Sequence, residues 1–127
     1  IVFNILIGNG DAHAKNFSVL YRGKSTQLAP VYDLLCTEIY DSLAHETAMS
    51  IGGETSFDAI TRENFARMAS ECKFRPELVM ELIDEMRETI ITASKSLADE
   101  LNRQHPSPVY AEICRVIERQ VTRLAAK

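Results

Sequence analysis

Three side chains in the first third of this 127-residue chain have types and spacing suited to chemistry: Asp11, Asn16 five positions later, and Asp33. A carboxylate can take the proton of an attacking hydroxyl, and amide and carboxylate oxygens can hold a hard divalent cation such as magnesium. Asp and Asn beside glycines are also ordinary turn formers, because their side chains bond local backbone amides. That plainer reading suits an isolated Asp-x-x-x-x-Asn. It does not account for a second Asp beyond a hairpin-like stretch, nor for so polar a loop directly after an apolar segment. Asp11-Ala12-His13 is in addition a D-x-H pair, which could open a binuclear metallophosphoesterase site. Such a site needs further ligands downstream, and His45 and His105 are the remaining histidines, neither in a ligand-like setting.

Phosphoryl transfer to a hydroxyl uses parts of this kind. In the protein-kinase plan one loop carries the base Asp and, five residues on, an Asn metal ligand, and a later Asp completes the magnesium site. Asp11, Asn16 and Asp33 stand in that order. Other kinase parts are not found in these 127 residues: no glycine-rich phosphate loop precedes Asp11, and no strand lysine for the phosphates or adenine pocket is recognisable.

The elements that must position these residues can be outlined from the pattern. Residues 1 to about 7 are apolar, fitting either the last turns of a buried helix or a short strand, and Gly8-Asn9-Gly10-Asp11 interrupts them. Phe17 to Tyr21 and Thr26 to Leu28 read as short strands joined by a turn at Arg22-Gly23-Lys24-Ser25, and Pro30 ends the second. A less regular region follows to about Phe57, with a turn at Gly52-Gly53. Beyond it the chain reads as helices. Thr61 is an N-cap for a helix facing inward through Phe65, Met68, Ala69 and Cys72. Pro76 opens a long helix to about Arg103, with Leu78, Leu82, Met86, Ile90, Ala93, Leu97 and Leu101 as its apolar stripe. His105-Pro106 stops it. Ser107-Pro108 starts a last helix with Val109, Ile113, Ile117, Val121 and Leu124 inward. Stripes of this kind are scaffold, with a partner-binding surface as the alternative, so a non-catalytic helical interaction module is the rival reading.

Composition supplies the bounds. Hydrophobic content of 46%, charged content of 25%, a net charge of −4 and a pI near 5.4 fit one globular domain with no overall electrostatic reason to bind nucleic acid. No apolar run is long enough to span a bilayer, and no signal peptide is recognisable. Cys36, Cys72 and Cys114 are odd in number and far apart, without a C-x-x-C pair. They read as reduced, partly buried thiols of a cytoplasmic protein rather than a disulfide framework or zinc site. The abrupt apolar start, without an initiator Met, suggests a piece of something longer.

The run Ile7-Gly8-Asn9-Gly10-Asp11-Ala12-His13-Ala14-Lys15-Asn16-Phe17-Ser18 resembles the catalytic loop of the HipA family, and Leu28-Ala29-Pro30-Val31-Tyr32-Asp33-Leu34-Leu35-Cys36-Thr37 resembles its metal-binding loop. Met49 to Gly53 and Ile60 to Phe65 are similar to the strand and helix start that follow. The resemblance implies the C-terminal lobe of a bacterial serine/threonine kinase with a distant protein-kinase-like fold. Its expected architecture is mainly α, with a small β-hairpin beside the catalytic loop and a helical bundle, one domain over 1–127. Catalytic and metal loops would occupy 8–37 and the helical part 58–127. It further implies a toxin of a toxin–antitoxin module, with a HipB-like antitoxin as partner, DNA reached only through that antitoxin, and an aminoacyl-tRNA synthetase as a known type of protein substrate. ATP would be the co-substrate. Asp11 would be the base, and Asn16 and Asp33 the magnesium ligands. His13 sits where ordinary kinases place a phosphate-contacting Lys, so it either contacts phosphate or braces the loop, and Lys15 is close enough to serve instead. Tyr32 is expected to pack under the metal loop, and His45 and His105 to be surface or linker residues. The phosphate-gripping parts lie upstream in the family, so this stretch alone should have little kinase activity.

Overall fold

The computed structural model describes residues 1–125. The chain opens with a short buried helix, α1 (Val2–Leu6), whose Val2, Ile5 and Leu6 are inside. It is one of the two forms open to an apolar run of that length. Two antiparallel hairpins follow: β1 (Val19–Arg22) with β2 (Ser25–Leu28), and β3 (Glu46–Ile51) with β4 (Glu54–Ser56). The first turns at Gly23-Lys24 and the second at Gly52-Gly53. Three further helices complete the fold: α2 (Arg62–Glu71), α3 (Pro76–Gln104) and α4 (Val109–Arg123). The architecture is therefore mainly α with small hairpins, as expected. The second hairpin lies in a region that reads as irregular because β4 is only three residues long and the register is shifted between Glu46 and Ile51.

The core lies among the helices. Phe57, Ile60 and Phe65 are fully buried at the approach to and on α2, and they meet Ile83 and Ile90 of α3 and Ile117, Val121 and Leu124 of α4. Thr61 heads α2 with its N–H donating to Asn64 Oδ1 at 2.9 Å, half of a reciprocal cap. Pro76 sits at the start of α3, where its missing N–H costs nothing. Side chains then lock the helices together: Arg62 reaches Asp84 with both terminal nitrogens, at 2.6 and 2.9 Å, and Arg87 Nε donates to the Val121 carbonyl at 3.0 Å.

The inward face of α3 differs from the expected stripe. Ile83 and Ile90 are buried, with Val79, Met80, Met86 and Ile91 packed around them, while Leu78 and Leu82 are each 40% exposed and Leu97 is 56% exposed. Over a 29-residue helix, steps of three and four can be chosen so that a stripe slides around the cylinder, and only packing partners fix which face is inside. Leu97 instead lines an open apolar groove of about 280 Å³ with Phe3, Leu101 and Tyr110. Cys72 ends α2 and is exposed, not inward, whereas Cys36 and Cys114 are half-buried.

Candidate active site

Gly8, Asn9 and Gly10 turn the chain out of α1, and the turn is compact enough to demand glycine. A Cβ on Gly10 would lie 2.7 Å from the Glu46 carbonyl oxygen and 2.8 Å from Thr37 Oγ1. Gly8 has φ +71°, and a Cβ there would meet Val116 of α4 at 2.6 Å. The backbone groups freed by the turn are taken up by distant partners. Gly10 N–H donates to Thr37 Oγ1 at 2.8 Å, and the Thr37 and Glu38 amides donate to the Gly8 carbonyl at 2.9 and 3.2 Å. Ala48 N–H of β3 donates to the Gly10 carbonyl at 2.9 Å. The loop is thus held by hydrogen bonds to the segment after Asp33 and to β3.

Asn9 is the hub of the arrangement. It is 1% exposed, and its Nδ2 donates to Asn4 Oδ1 at 3.0 Å and to the Asp33 carbonyl at 3.2 Å. Its Oδ1 accepts the Asp11 N–H at 3.1 Å. One buried amide therefore ties together α1, the loop at Asp11 and the loop at Asp33. A sequence reading takes Asn9 for a turn residue. Its reach of 24 positions along the chain has no local signal.

Asn16 and Asp33 are brought side by side. Asn16 closes a short 3-10 turn (Ala14–Asn16), is buried, and donates from Nδ2 to Asp33 Oδ2 at 2.6 Å. Asp33 has φ +56°, a left-handed conformation uncommon for a residue with a Cβ, and it is held there by the bonds to Asn9 and Asn16. Among the described residues, Asn16 Oδ1 and Asp33 Oδ1 make no hydrogen bond, so each keeps acceptor capacity. Adjacent amide and carboxylate oxygens suit a small hard cation that takes one or two protein ligands and completes its shell with water and phosphate. Magnesium fits this donor pair. Among the described residues there is no cluster of three or more His, Cys, Asp or Glu side chains for a metal held by protein alone, and so no further ligands beside Asp11 and His13 for a binuclear site.

Asp11 is exposed and lines a cleft of about 770 Å³ that extends over Leu34, Leu35, Tyr40 and Leu43 to Glu46; Asn16 and Asp33 do not line it. Asp11 thus faces an open cleft and is linked to the loop at Asp33 through Asn9. His13 precedes the 3-10 turn; its N–H donates to the Asp11 carbonyl at 2.8 Å, and its buried Nδ1 makes no hydrogen bond. Lys15 is exposed. Its carbonyl accepts the Tyr32 hydroxyl proton at 2.7 Å, and Tyr32 Oη lies 2.9 Å from Ser18 Oγ. Tyr32 is itself 45% exposed, so it straps the two loops together through its hydroxyl and does not pack beneath them.

Behind the cleft lies a buried carboxylate that the sequence did not single out. Glu38 has a side chain only 2% exposed, with Oε1 2.8 Å from His45 Nδ1 and Oε2 accepting from Arg119 Nη2 at 2.7 Å. It joins the turn after the metal loop to α4 and to the entry of β3. His45 is at the surface, as expected, but it is not unattached: it pairs with Glu38, seven positions earlier, while Arg119 reaches the same carboxylate from α4. His105 is exposed at the end of α3, as expected of a linker. Beside Glu38, burial pushes the Cys36 thiol up to about 11.

Comparisons with known proteins place the chain in a family and a fold. The HipA-like C-terminal domain family matches residues 1–94. The chain is 33% identical over 102 residues to the provisionally named kinase Y4mE of Sinorhizobium fredii, covering 77% of this chain and 24% of that protein. It is 38% identical over 53 residues to the serine/threonine-protein kinase toxin HipA of Shewanella oneidensis, covering 42% of this chain and 12% of that one. The fold is also that of a chain in the solved complex of Shewanella oneidensis MR-1 HipA, HipB and operator DNA, with a TM-score of 0.82 at 21% identity over 98% of this chain and 30% of the other. The chain spans about a quarter of the length of the first two curated relatives it matches, 24% and 22%. With the family matched over 94 of 127 residues, this chain belongs to the HipA-like C-terminal domain family.

Proposed function

We propose that this chain is the magnesium- and base-bearing part of a HipA-type protein serine/threonine kinase. The observation that carries the reading is the Asn16–Asp33 pair at 2.6 Å, tied through Asn9 to Asp11. In this reading the acceptor hydroxyl gives its proton to the Asp11 carboxylate as its oxygen bonds to the γ-phosphorus of ATP. The bond from that phosphorus to the β,γ-bridging oxygen breaks, and ADP leaves with the electron pair. Asn16 and Asp33 would hold magnesium, which would supply charge neutralisation. Asn9 holds the two loops in register, and His13 or Lys15 contacts phosphate or braces the loop. The longer protein would act as the toxin of a toxin–antitoxin module. Its partner would be a HipB-like antitoxin through which DNA is reached, its substrate a protein such as an aminoacyl-tRNA synthetase, and its compartment the cytoplasm.

The test is ATP-dependent serine phosphorylation by a full-length protein containing this sequence. Asp11→Ala should cut turnover by roughly 10²-fold or more, the usual scale for losing a general base. Asp33→Ala should act comparably and raise the magnesium concentration needed for half-maximal activity. Near-normal phosphorylation by either variant would overturn the assignment. Robust phosphorylation by the 127-residue chain alone would show that phosphate-gripping parts outside it are not needed.

A further inference from the structure

The stretch that carries Asp33 is docked by a charge. Among the described residues between Asn16 and Thr47, Glu38 alone is buried. Val31, Leu34, Leu35 and Leu43 of the same stretch are 39% to 66% exposed, so apolar burial does little to hold it. Glu38 reaches two other elements at once. Its Oε1 lies 2.8 Å from His45 Nδ1 at the entry to β3, and its Oε2 accepts from Arg119 Nη2 of α4 at 2.7 Å. Its stem also lies against the loop before Asp11: a Cβ on Gly8 would sit 2.9 Å from Glu38 Cβ and 3.0 Å from its Cγ. The Glu38 N–H donates to the Gly8 carbonyl at 3.2 Å, and Thr37 Oγ1 accepts the Gly10 N–H at 2.8 Å. From the other side, Ala48 N–H of β3 donates to the Gly10 carbonyl at 2.9 Å. Thr37-Glu38 and β3 thus grip the loop leading to Asp11 from two sides, and one carboxylate joins the two grips to each other and to α4.

We propose that Glu38 is a positioning residue for phosphoryl transfer: held by His45 and Arg119, its carboxylate fixes the segment after Asp33 against the loop that presents Asp11. This rests on the kinase reading of Asp11, Asn16 and Asp33, and adds to it a residue that acts through the backbone of both loops. Desolvation offsets much of the attraction in a buried ion pair, so the contribution of Glu38 is to geometry more than to net stability. The hydrogen bonds that join Asn9, Asn16 and Asp33 do not include it, so its loss frees the downstream end of the metal loop and leaves those bonds in place.

The experiment uses the full-length protein that contains this sequence, with γ-labelled ATP, magnesium and casein as a serine-bearing acceptor. Glu38→Ala should lower kcat by roughly 10-fold to 10²-fold, the scale of a small misplacement of reacting groups. It should raise the magnesium concentration needed for half-maximal rate and leave the KM for casein unchanged. The side chains of His45 and Arg119 are 47% and 50% exposed, so water takes over their pairing and the variant folds. Glu38→Gln keeps the volume and an acceptor for Arg119, so its loss should be smaller. Ile83→Ala, a core variant, is the control, and its kcat per folded molecule should stay near the parent's. In hydrogen exchange the Gly10, Thr37 and Ala48 amides should exchange faster in Glu38→Ala than in the parent, while those of α2 and α3 keep their rates. A parent-like kcat in both Glu38 variants would overturn the inference and leave the kinase reading intact. So would an equal loss in Ile83→Ala, which would make the effect one of general stability. If the parent itself transfers no phosphoryl group, the kinase reading falls, and faster exchange at those three amides still shows Glu38 to be the anchor of the segment.

Discussion

The loop-rich half of the molecule and the helical half are held together by different forces. From Gly8 to Ser56 the structure is joined mainly by hydrogen bonds of backbone and side chains that span long stretches of sequence, and every residue of β1 and β2 is exposed. From Phe57 onward it is joined by apolar interdigitation of α2, α3 and α4 around Ile83, Ile90 and Ile117. Directional bonds place a few polar atoms within tenths of an ångström but bury little apolar area. Packing yields most of the stability and tolerates small displacements. The proposed chemistry sits in the half held by directional bonds, braced on α4 by Gly8 against Val116 and by Glu38 against Arg119.

That contrast can be broken at chosen points. Truncating the fully buried Ile83 to Ala should cost about 2–5 kcal/mol of global stability, read by denaturant unfolding, while turnover per folded molecule of the full-length kinase stays near normal. Asn9→Ala should do the reverse. It removes three hydrogen bonds and leaves buried partners unsatisfied, for about 1–3 kcal/mol of stability. Its larger effect should be a loss of turnover exceeding that of Ile83→Ala, because Asp11 and Asp33 lose their common anchor. If Ile83→Ala impairs turnover more per folded molecule, the division between scaffold and site is wrong.

Smaller effects sharpen the same comparison. Thiol labelling near pH 7 should modify exposed Cys72 well before Cys36, whose thiolate is disfavoured by burial against the braced turn. Equal rates would mean that this turn opens readily. In the helical half, the side-chain hydrogen bond from Arg62 holds the Asp84 carboxyl below its ordinary range, with Arg87 adding to it. A carboxyl with a folded pKa below its unfolded value stabilises fully above about pH 4–5, and loses that contribution as pH falls through the folded value. Asp84→Asn should therefore lower the melting temperature slightly at neutral pH and make no difference at strongly acidic pH. A variant equally destabilised at both would place the effect in packing, not charge.

The sequence alone carried the order Asp11, Asn16, Asp33, the first hairpin, the Thr61 and Pro76 helix starts and the stop at His105-Pro106. Each rests on local chemistry: turn residues, caps, a missing N–H, or a spacing within one loop. Tertiary structure decided which face of α3 is inside, because Leu78, Leu82 and Leu97 are indistinguishable from core residues until α2 and α4 are placed against the helix. It also decided that Asn9 is a buried hub, that Tyr32 straps two loops through its hydroxyl, and that His45 pairs with Glu38. Asn9 and Tyr32 meet partners 24 and 17 positions away, and even His45 and Glu38, seven apart, come within hydrogen-bonding distance only once the chain between them is folded. The side-by-side placement of Asn16 and Asp33 belongs to both: their order could be read in the sequence, and their contact at 2.6 Å required the fold.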